Sequence, residues 1–445
     1  MRIVIAGAGA VGTHLAKLLS GERQDIVLID ENDDILSSLS SSFDLLTIVA
    51  SPTSVVDLKN AGVEGADLFI AVTPDESRNL ISCQLAHNIG AKKTLARIDN
   101  HEYLMQKNRE FFVQRGVDSL IYPEMLAAQE LIDGMKQSWI RQWWEFCDGA
   151  LVMMGVKIRE NAEILNVPFH DLTHDIPYHI VAIKRGNDTI IPNGSDMILM
   201  NDLVYFMTTK KHISYIRKIA GKQELPDIRD VIIMGGSRIV VRAALMLPAY
   251  MRLKIIESSL EKCNRLRELL DDKIMIINGD GRDPNLLLNE GIDKTEAFVA
   301  LTDSSETNIL ACLAAKRFGV TKTIAEVENI DYISLAENLD IGTVINKKKL
   351  AASHIFQMLL DADVSNVKCL TFANADVAEF KVKKGAKVTK NVVKDLNLPK
   401  YTTIGGLIRD NEGMRVSGNT QIIAGDHVVV FCMEGMIKKL EKYFN

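Results

Sequence analysis

The chain is poor in the residues that mark several classes of protein. Six cysteines in 445 residues, none in a CxxC pair, are too few and too scattered for a disulfide framework or a zinc cage, so the thiols read as reduced and structural. Ten prolines and no low-complexity tract argue against a linker, collagen-like or disordered chain. The 47% of hydrophobic residues also offer ample apolar surface to offset the entropy of ordering the backbone. Positive charge is not in excess: a net charge of −6 leaves no basic field for a polyanion, so no nucleic acid partner is expected. No run approaches the roughly 18 apolar residues of a membrane span, and no direct membrane insertion is expected. Met1-Arg2-Ile3-Val4 leads straight into a strand-like segment, not into the charged and apolar regions of a secretory leader. What is present is enough apolar chain for a large core, and at roughly 150 residues per domain the length suggests about three domains.

The sequence repeats itself. Residues 49–103 laid over 278–332, at a constant offset of 229, share 15 identities in 55 positions. Among them are Asn60/Asn289, Gly62/Gly291, Phe69/Phe298, Thr73/Thr302, Asn79/Asn308, Cys83/Cys312, Gly90/Gly319 and Tyr103/Tyr332. Arg2-Ile3-Val4-Ile5-Ala6-Gly7 likewise echoes Asp230-Val231-Ile232-Ile233-Met234-Gly235. A unit of about half the chain is therefore duplicated, far longer than the roughly 20–50-residue period of a solenoid, and it reads as two copies of a two-domain module.

Within each half, short runs rich in valine and isoleucine alternate with segments of helical period, the pattern of a parallel sheet covered by helices. Strands are expected at 2–6, 25–29, 44–49, 68–72, 93–98 and about 118–121, and again beginning near 231, 253, 274, 297, 323 and 343. Short alternating runs with turn signals, such as Lys184-Arg185-Gly186-Asn187-Asp188 and Arg409-Asp410-Asn411-Glu412-Gly413, follow each sheet. The fold class is α/β: two tandem Rossmann-like doubly wound parallel-sheet domains, each followed by a small α+β domain. The expected divisions are a first sheet domain over 1–122, a connecting helix over 123–148 and a small domain over 149–225. The second copy divides at 226–346, a connecting helix over 347–365, and 366–445. Helical character is clearest over 123–146, which holds all three tryptophans, Trp139, Trp143 and Trp144. These either pack the small domain on the large one or form a subunit interface, where tryptophan is enriched.

The most informative motif is Gly7-Ala8-Gly9-Ala10-Val11-Gly12, which directly follows a strand and opens a helical segment. Gly7 permits the tight turn, Gly9 lets the backbone approach a pyrophosphate, and Gly12 allows the helix to pack closely on the strand. Phosphates at that helix N-terminus meet free N–H groups and the positive end of the dipole. Asp30, 18 residues beyond Gly12 at the end of the second strand, is placed to accept hydrogen bonds from an adenosine ribose diol. Its charge repels a 2′-phosphate, so NAD(H) or another adenine nucleotide such as ATP or ADP is favoured over NADP(H). Ala50 and Ser51, Thr73 with Pro74 and Asp75, and Arg97 stand at the ends of the next three strands, bordering the crevice where open α/β sheets bind ligands. Arg97 is either a discriminator near the phosphates or a solvated surface cation.

In the second half the loop reads Gly235-Gly236-Ser237-Arg238-Ile239-Val240. Only the turn glycine survives, since Ser237 replaces Gly9 and Val240 replaces Gly12. Glu257 keeps the acid, Asp280 follows the third strand, and Glu326 stands where the first half has Arg97. An altered or vestigial site with a structural role is expected there.

No catalytic machinery is apparent. His14, His87 and His101 fall on expected helices or their ends without a carboxylate at a diagnostic spacing. His170, His174 and His179 cluster around Pro168 and Pro177 in what reads as a loop, and the prolines argue against a helical HxxxH metal pair. A duplicated nucleotide fold without a catalytic group points to sensing rather than an enzyme, with an NAD-dependent oxidoreductase of unknown substrate as the alternative.

Several segments together resemble the TrkA family of Trk potassium-uptake peripheral subunits, built from tandem regulator-of-potassium-conductance (RCK) modules. They are Ile5 to Gly12 with Asp30, Ala71-Val72-Thr73-Pro74-Asp75-Glu76 with Asn79, Ala96-Arg97-Ile98, Asn278-Gly279-Asp280-Gly281 and Ala300 to Asn308. Ile183-Lys184-Arg185-Gly186 and Ala424-Gly425-Asp426-His427 resemble the C-terminal halves of that module. The family's Gly-Asp after the third strand is Ala50-Ser51 here. The resemblance implies a cytoplasmic protein that self-associates into a ring, as a homotetramer, on the inner face of the cell membrane beneath an integral-membrane potassium channel or transporter subunit. It implies NAD(H) or adenine nucleotides at the first module as the gating signal. Some relatives sense cyclic dinucleotides through the C-terminal domains, a third reading.

Overall fold

The computed structural model describes the whole chain except residues 21–23, 41–44, 173–175, 360–363, 370–374 and 434–435. Two compact units emerge, one comprising Met1–Leu126 with Lys347–Leu359 and the other Ala127–Asn346 with Leu360–Asn445.

In the first unit the apolar runs become parallel strands β1 (Arg2–Ala6), β2 (Asp25–Asp30), β3 (Leu46–Val49), β4 (Leu68–Ala71), β5 (Thr94–Arg97) and β6 (Ser119–Ile121). Their order is β3-β2-β1-β4-β5-β6, with Val4 opposite both Val27 and Phe69. Ile3 to Ala6 have no exposed surface, as expected for strands covered on both faces, which read as unbroken apolar runs. The order reverses between β1 and β4, and that switch point opens a crevice at the strands' C-terminal ends. Helix Ala10–Ser20 follows β1, and Lys347–Leu359, whose Ala351, Ala352 and Ile355 are buried, packs on it.

The second unit begins with an antiparallel sheet of β7 (Gln142–Phe146), β8 (Leu151–Lys157), β9 (Tyr178–Arg185), β10 (Asp188–Ile190) and β11 (Leu203–Thr208), ordered β10-β9-β11-β8-β7. A second parallel sheet follows: β12 (Asp230–Met234), β13 (Arg252–Glu257), β14 (Met275–Asn278), β15 (Ala297–Ala300), β16 (Lys322–Glu326) and β17 (Thr343–Ile345). Its order, β14-β13-β12-β15-β16-β17, repeats the first sheet strand for strand. Last come β18 (Val364–Cys369), β19 (Ala375–Lys381), β20 (Thr402–Arg409), β21 (Glu412–Met414) and β22 (His427–Met433), ordered β18-β19-β22-β20-β21, the same topology as the first antiparallel sheet. The two antiparallel sheets share one apolar core, in which Leu151, Met153, Val181 and Met207 join Val377, Ile408, Val429 and Phe431.

The connectors depart from the expected helices. The first helix stops at Met135, and residues 142–146, expected to continue it, form β7 against β8. The second helix stops at Leu359 and β18 begins at Val364, inside the expected 347–365 helix. Within β7 the side chains alternate between faces, so Trp143 joins Met154 and Phe206 while Trp144 stacks on Tyr205 with ring centroids 6.4 Å apart. Trp139, Trp143 and Trp144 are 4%, 5% and 4% exposed, so they serve the core of this unit and leave no surface for a subunit interface.

The two halves of the second unit are also joined by charge. Asp340 lies in a left-handed backbone conformation after helix Asp331–Asn338, with φ 54°. It accepts from Arg141 at 2.7 Å, from Arg159, and from Lys316 at 3.0 Å. Thr343 Oγ1 donates to the Arg141 carbonyl at 2.7 Å, and buried Lys322 donates to the Ile140 carbonyl. Among the described residues, no helix is long and apolar enough to cross a membrane.

Candidate functional site

The loop after β1 is held from both sides. The Gly7 N–H donates to the Ile29 carbonyl at 2.9 Å, and the Ala8 N–H donates to Asp30 Oδ2 at 2.6 Å. Asp30 Oδ1 accepts from Asn32 N–H at 2.9 Å, and Thr13 Oγ1 returns to the Ala8 carbonyl at 2.8 Å. Gly7 has φ +108°, and a Cβ there would stand 2.9 Å from the Thr73 nitrogen, so this turn admits only glycine. A Cβ on Gly12 would stand 1.8 Å from the Gly7 carbonyl oxygen, which fixes how closely helix and loop approach. A Cβ on Gly9 would meet nothing within 4 Å. Nothing in the folded chain therefore demands glycine at that position, whereas a phosphate group resting on the backbone does. Gly9 and Ala10 are exposed and Ala8 and Gly12 buried, so the loop turns its open side outward at the first turn of helix Ala10–Ser20.

The other expected residues fall around the same crevice with different duties. Ala50 N–H donates to the Asp30 carbonyl at 2.9 Å, and Ser51 N–H to Asp57 at 2.9 Å. Thr73 donates through both N–H (2.9 Å) and Oγ1 (2.7 Å) to Asn79 Oδ1. The fully buried Asn79 amide donates to the carbonyls of Thr73 and Arg97 at 2.9 and 3.0 Å, latching the ends of β4 and β5 together. Asp75 spends its carboxylate capping helix Glu76–Ile89, accepting from Ser77 and Arg78 N–H, and Pro74 is exposed beside it. Arg97 is not a solvated surface cation. It is mostly buried at the end of β5 and lies 3.6 Å from Asp99 and 3.7 Å from Glu124, so two carboxylates already balance its charge.

Two residues that no sequence motif marks shape the rim. Arg78, in the first turn of its helix, pairs with Glu31 beyond β2 and donates to Ser51 Oγ at 3.3 Å. The Arg78 and Ser51 hydrogen bonds hold the Glu31 carboxyl below its ordinary range. This places a cation and its partner across the mouth of the crevice, at the ends of three strands.

The second sheet repeats the frame and alters the loop. Gly235 keeps φ +107° and its N–H donates to the Ile256 carbonyl at 2.9 Å. Asn308 reproduces the latch, accepting from Thr302 and donating to the Glu326 carbonyl at 2.9 Å. Glu257 accepts from Ser259 N–H at 2.7 Å, as Asp30 accepts from Asn32, but only Asp30 adds a bond to the glycine loop. Val240 is fully buried where Gly12 stands in the first copy, so this helix sits far enough from Gly235 to admit a side chain. Ser237 precedes helix Arg238–Met246 without capping it through its side chain. The crevice stays open: a cavity of about 230 Å³ is lined by Gly235, Ser237, Glu257, Lys262, Asp280 and Arg282, among others. Asp280 is held below its ordinary carboxyl range by the hydrogen bonds from Arg282.

Of the loop histidines, His170 is exposed beside Asp171 at 3.4 Å and His174 lies outside the described residues. His179 is not in a loop but inside β9, where burial and then Arg415 lower it to about 4. His14 is lowered to about 4 by burial and by Lys349, Lys348 and Lys17.

Fold and site thus define a tandem Rossmann-type pair with a glycine-rich strand-to-helix loop in its first copy. Known proteins agree. The TrkA-N domain family matches residues 3–123 and 231–347, and the TrkA-C domain family matches 153–221 and 377–445. The Trk system potassium uptake protein TrkA of Haemophilus influenzae is 31% identical over 454 residues, covering 100% of this chain and 98% of that one. A TrkA homolog of Archaeoglobus fulgidus is 30% identical with 100% of both chains covered. The GsuK channel bound to NAD shares the fold at a TM-score of 0.61 and 15% identity, covering 100% of this chain and 78% of that one. The chain belongs to the TrkA family of Trk system potassium uptake proteins.

Proposed function

We propose that this chain is the nucleotide-sensing regulatory subunit of a Trk-type potassium uptake system. In this reading NAD(H), or ATP and ADP, rests its phosphates on the Gly7–Gly12 loop and its adenosine ribose on Asp30. Bound ligand favours one arrangement of the modules, and an integral-membrane potassium channel or transporter subunit responds. The chain acts from the cytoplasmic face as a ring, as a homotetramer, and leaves the nucleotide chemically unchanged. The observation that carries the reading is Gly9, whose open surroundings fit a phosphate group and nothing within the fold. Support also comes from the relatives named for potassium uptake and from the GsuK neighbour, a channel seen bound to NAD.

A ligand moves an equilibrium only by its difference in affinity for the two states, so nucleotides of opposite effect must touch the rim differently. Arg97, Arg78 and Ser51 are the rim residues to do this. In the second crevice, Gly235, Ser237, Arg238, Glu257 and Asp280 form a weaker or differently selective nucleotide site. The test is potassium flux through the membrane partner reconstituted with this chain. Nucleotide-dependent flux that Asp30→Ala abolishes supports the proposal. Flux indifferent to nucleotides, or steady oxidation of NADH with a metabolite, overturns it.

A further inference from the structure

Away from both crevices, three side chains with metal-binding chemistry converge where the two small domains meet. Cys147 Sγ, in the turn after β7, donates to Glu379 Oε1 of β19 at 3.0 Å, and His427 Nδ1 of β22 lies 2.8 Å from the same oxygen. The three ligand atoms lie within 4.8 Å of one another, and no other such group of three occurs among the described residues. Glu379 has no exposed surface, and the His427 side chain, at 27%, opens a route from solvent.

We propose that Cys147, Glu379 and His427 form a binding site for a thiophilic divalent cation, with Zn²⁺ the best fit, that clasps the first small domain to the second. One thiolate, one imidazole and one carboxylate match the borderline-soft preference of zinc, and three protein ligands leave a fourth tetrahedral position for water. Zinc bonds of about 2.0–2.3 Å put neighbouring ligand atoms roughly 3.3–3.8 Å apart, so the hydrogen-bonded cluster needs to open by less than about 1 Å to admit the ion.

Two further observations favour a site over a chance contact. Cys147 and the following Asp148 both adopt left-handed backbone, at φ 42° and 51°, although neither is glycine. Such strain persists where the surrounding structure holds a side chain in place, and here the turn aims the thiol at Glu379. The duplication also supplies an internal control. At an offset of 224, strand registers coincide: Gly155 pairs opposite Tyr205 as Glu379 pairs opposite Val429, and Lys157 opposite Leu203 as Lys381 opposite His427. The first small domain thus places Gly155 and Leu203 where the second has Glu379 and His427. The same fold does without the carboxylate and the imidazole, so topology does not require them.

The test uses the full chain, freed of metal with a chelator and titrated calorimetrically with Zn²⁺ alone, then with Co²⁺ as an optical probe. The expected result is one Zn²⁺ per chain and a thiolate-to-cobalt charge-transfer band. Cys147→Ser should abolish the band and weaken Zn²⁺ at least tenfold. His427→Gln, at a partly exposed position, should weaken Zn²⁺ at least tenfold and keep the metal-free melting temperature. Absence of stoichiometric Zn²⁺ binding, absence of the thiolate band, or variants that bind as the parent does would each overturn the proposal.

Discussion

The carboxylate of Asp30 and the backbone N–H of Ala8 are 2.6 Å apart, so the residue expected to hold a ribose also clamps the glycine loop. In the second copy Glu257 keeps the counterpart of the Asp30–Asn32 bond, accepting from Ser259 N–H, without a matching bond to its loop. Asp30→Ala should therefore do two things: remove the ribose acceptor and free the loop. Adenine-nucleotide affinity should fall at least tenfold, about 1.4 kcal/mol or more. Asp30→Asn, which keeps one acceptor, should retain part of it. Direct titration of both variants checks the order.

Gly9 and Gly12 should respond unequally to the same added methyl group. Gly9→Ala meets open space and should leave stability within about 0.5 kcal/mol. Gly12→Ala places a Cβ 1.8 Å from the Gly7 oxygen, forcing loop and helix apart. It should cost about 1–3 kcal/mol, as overpacked sites do, despite the better helix propensity of alanine. Urea unfolding of the two variants gives the comparison, and equal losses would contradict the geometry.

Asp340→Asn should loosen the first small domain from the second sheet. Asparagine tolerates left-handed backbone, so the change removes charge rather than conformation. Three cations, Arg141, Arg159 and Lys316, lose their shared partner. The site is partly exposed, so the loss should lie between that of surface and buried pairs, about 1–3 kcal/mol. Burial raises the Asp340 carboxyl, but Arg141 and Lys316 outweigh it and the net shift is downward. The contribution is thus fully present above the ordinary carboxylate range near 3.9 and fades as pH falls through the depressed value. The wild-type acid transition should be steeper than that of the variant.

His14 gives a second pH signature at milder acidity. Its folded value, lowered to about 4, lies below the ordinary 6.5, so the unfolded chain takes up the proton first. Stability of the first unit is complete above about pH 6.5 and declines toward pH 4, by of order 1–3 kcal/mol. His14→Gln should flatten that slope in denaturant melts at pH 7.5 and 5.

Much of this was legible in the residues, and the failures have physical causes. The parallel strands declared themselves as valine and isoleucine runs, and the start of the glycine helix and its acid followed from spacing. The connector misled because Trp139 and Trp143, like Ile140 and Trp144, are spaced by four as on a helix. Pairing of Gln142–Phe146 with β8 outweighs that local period, and aromatics suit a half-buried strand. Arg78 and Glu31 stand 47 residues apart, and no local pattern announces such a pair. The Asn79 latch did leave a signal, since Thr73/Thr302 and Asn79/Asn308 are identical in both copies.

Nucleotide sensing at the first loop is tested by a calorimetric titration of the full chain with NADH, NAD⁺, ADP and ATP, run in parallel on the wild type and Gly9→Val. The wild type should bind at least one of them and return it unaltered. Gly9→Val, folded and melting as the parent does, should lose at least tenfold in affinity. A wild type indifferent to all four, or a variant that binds them equally well, would contradict a nucleotide signal seated on the first loop.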